Sequence, residues 1–195
     1  MKGGGQFVIK NPSQRVGVFI DVQNLYYSAK NLYNSKVNFG KILETAVAGR
    51  QLIRAFAYVI NADIPEQQSF FEALAKAGFE VKSKDIQLFP GGVKKGDWDV
   101  GIVTDMIRMG PKLDVMVLVS GDGDYVPALE YLRNQGHLIE VIAFGKSTSA
   151  KLILETDEFI DLDQDSSQYL IPNRKQNYAR RNYPKSPAKE TLPEL

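Results

Sequence analysis

With 195 residues, 44% of them hydrophobic, and a net charge of +1, the chain can build one buried core with polar tails. It has no cysteine and one histidine, His137, which excludes a disulfide framework and thiolate zinc sites and leaves Ser-His-Asp catalysis almost no material. No apolar run nears the roughly 20 residues that cross a bilayer, and the start Met1–Gln6 lacks a signal peptide's apolar stretch, so a cytoplasmic protein with no membrane partner is expected.

Residues 1–14 are Gly-rich and polar and read as a flexible segment. Val16–Ile20 is an apolar run of the kind a buried parallel strand shows, and Asp21 ends it. Helical patterns follow over Leu25–Tyr33 and Phe39–Ala48, then a β-rich run over Gln51–Ile60. Pro65 opens a helix over Glu66–Lys76, and Phe79–Leu88 alternates as a strand with Val81 and Ile86 inward. Phe89–Gly96 is a Gly- and Lys-rich loop before a helix over Asp97–Met109. Val115–Val119 is a further buried strand, Tyr125–Asn134 a helix stopped by Gly136, and Leu138–Phe144 the next strand. A short helix, Ser149–Glu155, and a short strand, Phe159–Leu162, complete the series. Alternating strands and helices predict a three-layer α/β/α domain around a mostly parallel sheet of five to six strands, over residues 15–165. From Ser166 to Leu195 periodicity fades, and six basic residues against two acids give this tail +4, leaving −3 for the first 165 residues. A disordered, basic tail that finds phosphates is the expectation.

The acids are placed with a pattern. In open α/β sheets ligands sit beyond the carboxyl ends of the strands, where Asp21 ends the first strand and Asp122 and Asp124 follow Val115–Val119 on a Gly-rich turn. On the helix that starts near Asp97, taking Asp99 as zero, Val103 falls near 40° and Met106 near 340°, so Asp99 heads the apolar face. A carboxylate there is costly unless something offsets its charge, and a hard, oxygen-ligated cation would. Asp97 reads as the helix N-cap, while Asp105 divides evenly between reaching the site and bonding a neighbouring backbone. Lys94, Lys95 and Arg108 supply cations that could hold phosphates. Tyr26, Tyr27 and Tyr125 could stack bases or pack on the sheet.

Three motifs in order, Phe19-Ile20-Asp21-Val22-Gln23-Asn24, Lys95-Gly96-Asp97-Trp98-Asp99-Val100 with Asp105, and Ser120-Gly121-Asp122-Gly123-Asp124-Tyr125, carry a resemblance. Together they resemble the NYN domain, in its LabA-like branch of the PIN-like nuclease superfamily, over Val16–Asp163. The resemblance implies a PIN-like (Rossmannoid) fold, an acidic pocket for Mg²⁺ or Mn²⁺, and hydrolysis of RNA, single-stranded or structured. By position, Asp21, Asp99, Asp122 and Asp124 would be the catalytic, metal-binding set. Asn24 would orient Asp21 or the substrate, Ser120 would steady the strand end, and Asp105 matches a recurrent acid of the branch. Lys94, Lys95, Arg108 and Tyr125 would contact substrate, and a homodimer is a further implication. The rival from another class is a non-catalytic RNA-binding or regulatory protein that kept the fold.

Other nucleotide-handling patterns fail on single residues. A haloacid-dehalogenase-type phosphatase needs a second Asp where Gln23 stands, and a TOPRIM domain wants Glu at Asp21. Gly145-Lys146-Ser147-Thr148 resembles the end of a P-loop, but Glu140 occupies the position of its upstream glycine.

Overall fold

A computed structural model describes residues 9–61, 65–85, 87–88 and 94–171. Among them run β1 (Arg15–Asp21), α1 (Val22–Tyr33), β2 (Lys36–Val37), α2 (Phe39–Val47), β3 (Gln51–Asn61) and α3 (Pro65–Lys76). Next come β4 (Glu80–Asp85), β5 (Gln87–Leu88), β6 (Lys94–Lys95) and α4 (Asp99–Met109). The chain continues through β7 (Val115–Val119), α5 (Val126–Asn134), β8 (Leu138–Ala143), α6 (Ala150–Leu154), β9 (Glu158–Asp161), α7 (Ser166–Tyr169) and β10 (Leu170–Ile171).

Six strands form one sheet in the order β4-β3-β1-β7-β8-β9, and every pairing in it is parallel. Period-two alternation then sorts side chains between the layers. On β7, Val115, Val117 and Val119 face the helices α1 and α2, while Met116 and Leu118 join Ile102, Met106, Leu129 and Leu132 on the face under α4 and α5. Both faces are covered, which is why β1 and β7 are apolar throughout and not alternating.

The chain leaves β1 toward β3 on one side and returns to β7 on the other, so the switch in winding direction lies between β1 and β7. Ile20 pairs with Val119 there, which sets the carboxyl ends of both strands side by side. A cleft at this position is what an open, doubly wound sheet provides.

Beneath the sheet, Arg50 and Glu140 form an ion pair whose side chains are both fully buried. The guanidinium donates to Glu140 Oε1 at 2.5 Å and Oε2 at 2.8 Å, and also to the carbonyls of Ala46 and Val47. The last turn of α2 is thereby tied to the middle of β8.

Two expectations about extents are corrected. The folded chain passes residue 165: β10 pairs antiparallel with β2, and Tyr169 and Leu170 pack on the core. A four-residue helix and a two-residue strand have no periodicity to be seen by. The expected strand Phe79–Leu88 is two, β4 in the main sheet and β5 in a ribbon with β6, so the backbone of Lys94 and Lys95 is extended and not looped. Residues 1–8, Ile86, Phe89–Val93 and the basic stretch 172–195 lie outside the described residues.

Candidate metal centre

The cleft at the β1/β7 switch point is lined by Asp21, Gln23, Asn24, Tyr27, Asp97, Trp98, Asp99 and Asp122, around a volume of about 200 Å³. Each acid arrives there for a local reason. Asp21 ends β1 and caps α1, its Oδ1 accepting the Asn24 N–H at 3.0 Å. The Asn24 side chain continues across the switch point and accepts the Gly121 N–H at 2.9 Å, stitching α1 to the turn after β7. On that turn, buried Ser120 accepts the Asp122 N–H through Oγ at 3.3 Å, and Asp122 Oδ1 accepts the Asp124 N–H at 3.0 Å. An Asp reaching two residues on is an Asx turn, so the same carboxyl shapes the loop and faces the cleft.

The glycines of this turn have a steric cause. A Cβ on Gly121 would stand 2.9 Å from Thr148 Oγ1, and one on Gly123 would stand 2.7 Å from Ser149 Oγ. The Ser149 N–H also donates to the Gly121 carbonyl at 2.9 Å, so the segment before α6 clamps the acidic turn from outside.

Asp99 enters from the first turn of α4. The Trp98 ring packs on Tyr58 with centroids 5.3 Å apart, and its Nε1–H donates to the Val59 carbonyl at 2.8 Å. This anchor fixes where α4 begins. It also corrects the expectation for Asp97: Trp98 occupies the N-cap position, and Asp97 lines the cleft.

Carboxylate oxygens of Asp99, Asp122 and Asp124 lie within 4.8 Å of one another. Opposed ligands of a small divalent cation stand about 4 Å apart at bonds of about 2.1 Å, so small side-chain movements would let the three share one. All the donors are hard oxygens, which suits Mg²⁺ or Mn²⁺. Asp21 lines the same cleft next to this trio, coupled to it through Tyr125. That hydroxyl donates to Asp99 Oδ1 at 3.1 Å and lies 3.5 Å from Asp21 Oδ2.

Burial and the crowding of like charges raise Asp21 and Asp99. Burial pushes the Asp21 carboxyl up to about 6, helped by the charges of Asp99 and Asp122 and opposed by backbone N–H groups of Asn24 and Gln23. Asp99 is raised by burial and by Asp122, Asp97 and Asp124, against the Tyr125 hydrogen bond. Burial, then the neighbouring Asp21 and Asp99, hold the Tyr125 phenol above its ordinary range, so it remains a donor.

A stability consequence follows for metal-free protein. Because the folded pKa of Asp21 exceeds the unfolded value, the native state holds the extra proton between pH 4 and 6 and stability falls as pH rises through that window. The contribution is on the order of 2–3 kcal/mol, present at the acid end and lost by pH 7. Urea unfolding in EDTA across this range should show Asp21→Asn with a shallower pH slope than the parent; equal slopes would assign the effect elsewhere.

Other residues expected at the site are placed differently. Asp105, 7% exposed, accepts from Tyr58 Oη at 2.9 Å, Lys82 Nζ at 2.5 Å and Arg108 Nη1 at 3.3 Å. It bonds neighbouring side chains, and it is not among the residues lining the cleft. Arg108 is exposed and turned to Asp105. Tyr125 is fully buried, so its ring offers no face to a base. What the residue pattern alone did not assign is the Tyr125 hydroxyl between two acids and the cleft positions of Gln23, Asp97 and Trp98; the aromatic directly after Asp-Gly-Asp was the available signal.

The family model of the NYN domain matches residues 15–163, most of the chain and all of the main sheet. The chain belongs to the NYN domain family. Over 158 residues this NYN protein is 29% identical to the low amplitude and bright protein LabA of Synechococcus elongatus, covering 76% of the chain and 84% of LabA. A crystal structure of a protein of unknown function from Vibrio parahaemolyticus superposes with a TM-score of 0.76 at 32% identity, covering 84% of the chain and all of that protein. Among the described residues of this NYN domain, no helix is long and apolar enough to cross a membrane.

Proposed function

We propose that the chain is a metal-dependent ribonuclease that hydrolyses RNA phosphodiester bonds at the β1/β7 cleft. The observation that carries this reading is the convergence of Asp99, Asp122 and Asp124 within 4.8 Å, beside Asp21, in a family of the PIN-like nuclease superfamily. Asp99, Asp122 and Asp124 would hold Mg²⁺ or Mn²⁺. Such an ion, when bound, lowers the pKa of water and offsets charge developing on the phosphate.

The chain's own groups do the rest. Tyr125 holds the Asp99 carboxylate, while Asn24 and Ser120 hold the backbone of the turn that carries Asp122 and Asp124. Asp21, in the cleft beside the trio and not within it, is the carboxylate placed to take a proton from attacking water. Water oxygen joins phosphorus, the bond to the leaving sugar oxygen breaks, and that oxygen takes up a proton. Lys94 and Lys95, on the strand that leads toward Asp97 and Asp99, would hold flanking phosphates, with Arg108 in a peripheral role. The tail from residue 172 carries six basic residues and would add affinity that falls with salt.

Incubation of the purified full chain with end-labelled single-stranded and structured RNA, in Mg²⁺, Mn²⁺ or EDTA, tests the proposal. Cleavage is expected with either metal and none with chelator. Retention of RNA without cleavage under every condition would instead make this a non-catalytic RNA-binding member of the family.

A further inference from the structure

Helix α1 buries Val22, Leu25 and Ala29 against the sheet, and its flank beside the cleft carries two exposed aromatic rings. Tyr26 is 41% exposed and Tyr27 is 53% exposed, with their rings edge-to-face at 5.3 Å and 75°. Neighbouring helix positions do not ordinarily face each other, so the contact sets the two rings side by side in an uncommon way. One turn on, the Lys30 ammonium sits 5.8 Å from the Tyr26 ring centre. Tyr27 itself belongs to the wall of the cleft, with Asp21, Asp99 and Asp122.

We infer that Tyr26 and Tyr27, with Lys30, form a base-stacking platform at the mouth of the acidic cleft, for the nucleotide next to the scissile phosphate. The inference rests on the nuclease reading for the identity of that phosphate. Three features favour a nucleobase over another occupant. Tyr27 lines the carboxylate cleft and Tyr26 packs on its outer side, so a chain whose phosphate reaches the metal site passes them. The pair presents exposed aromatic surface, as stacking on unpaired bases requires. The adjacent ammonium suits the phosphate of the same nucleotide. Bases within a duplex have their faces covered, so the platform selects unpaired segments. Trp98, in the same cleft, is held by Val59 and Tyr58 and supplies a second, immobile aromatic wall.

The test uses the full-length chain carrying Asp122→Asn, so that RNA stays intact, in Mg²⁺ buffer. Binding of a short fluorescein-labelled oligoribonucleotide, single-stranded or annealed to its complement, is followed by anisotropy. Tyr27→Ala is expected to weaken single-strand binding about fivefold or more, Tyr27→Leu equally, and Tyr27→Trp to stay within about twofold of the parent. Duplex binding should change little, and melting temperatures should coincide because the ring is exposed. Single-strand affinity unchanged in Tyr27→Ala, Leu matching Trp, or equal losses for duplex and single strand would each overturn the platform. Wild-type cleavage assayed in parallel separates the two readings. Metal-dependent cleavage with binding indifferent to Tyr27 removes the platform alone. Absent cleavage with an aromatic requirement at Tyr27 removes the nuclease alone.

Discussion

Asp122→Asn is expected to abolish metal-dependent cleavage of RNA, a loss on the order of 10²–10³-fold or more, while leaving the fold intact. The magnitude is that of losing several kcal/mol of charge stabilisation at the reacting phosphate. Asp122 stands within 4.8 Å of both Asp99 and Asp124 and also faces the cleft beside Asp21, a position that only Asp99 shares. Its other task, accepting the Asp124 N–H, can pass to the amide oxygen of asparagine, so the turn survives. Removing one negative charge also relieves the repulsion that raises Asp21 and Asp99, so the metal-free variant should melt slightly higher than the parent. Calorimetric titration with Mn²⁺, thermal melts in EDTA and cleavage assays read the three effects separately. A variant that melts far lower and still cleaves RNA would make Asp122 a turn-forming residue and move the chemistry elsewhere. Tyr125→Phe, which leaves Asp99 without its hydroxyl donor, should lose about 10- to 100-fold, as expected for a partner that orients a ligand.

Glu140→Ala should destabilise the protein by about 3–5 kcal/mol, enough to unfold a sizeable fraction of a domain of ordinary stability. The reason is asymmetric. The intact pair satisfies both charges with two short hydrogen bonds, whereas truncation leaves the Arg50 guanidinium buried beside two carbonyls and no anion. Replacing both partners at once, Arg50→Met with Glu140→Leu, should recover much of the loss, since apolar substitutes of similar volume often match a buried pair. Urea denaturation of the single and double variants decides it. Additive losses in the double variant would mean that the two side chains contribute separately and not as a pair. Glu140 pairs with Val117 in the middle of β7 and Arg50 precedes β3, whereas the cleft acids stand at the carboxyl ends of the strands, so metal affinity of folded Glu140→Ala should match the parent.

The two predictions draw on different kinds of legibility. Asp122 was readable because chemistry at a strand end leaves a local signature: an apolar run, then glycine and acids at fixed offsets. Asp21 and Asp99 were readable for related reasons, one ending a strand and the other standing out on an apolar helix face. In the sequence Glu140 stands out only by spoiling a P-loop pattern, because nothing in its neighbourhood of sequence announces a partner 90 residues away. Asp105 shows the same limit. Its helical position allows two readings, the site or a neighbouring backbone, and the partners it meets are instead the side chains of Tyr58 and Lys82, from β3 and β4. Tyr125 was read as an aromatic, with stacking or packing in view, whereas burial turns its hydroxyl into the functional group.

The amino-acid sequence by itself determined the alternation of strands and helices, the doubly covered parallel sheet, the family resemblance, and the four carboxylates at the strand ends and helix start. These follow from local periodicity and from turn chemistry, which act over a few residues. Tertiary structure alone decided that Asp99, Asp122 and Asp124 approach within 4.8 Å, that Asp21 joins them through Tyr125, and that Tyr27 stands exposed in the cleft wall while Tyr125 does not. Burial, charge coupling and pairing across the sheet depend on which elements are neighbours in space, and the winding of the chain from β1 to β3 and back to β7 sets that.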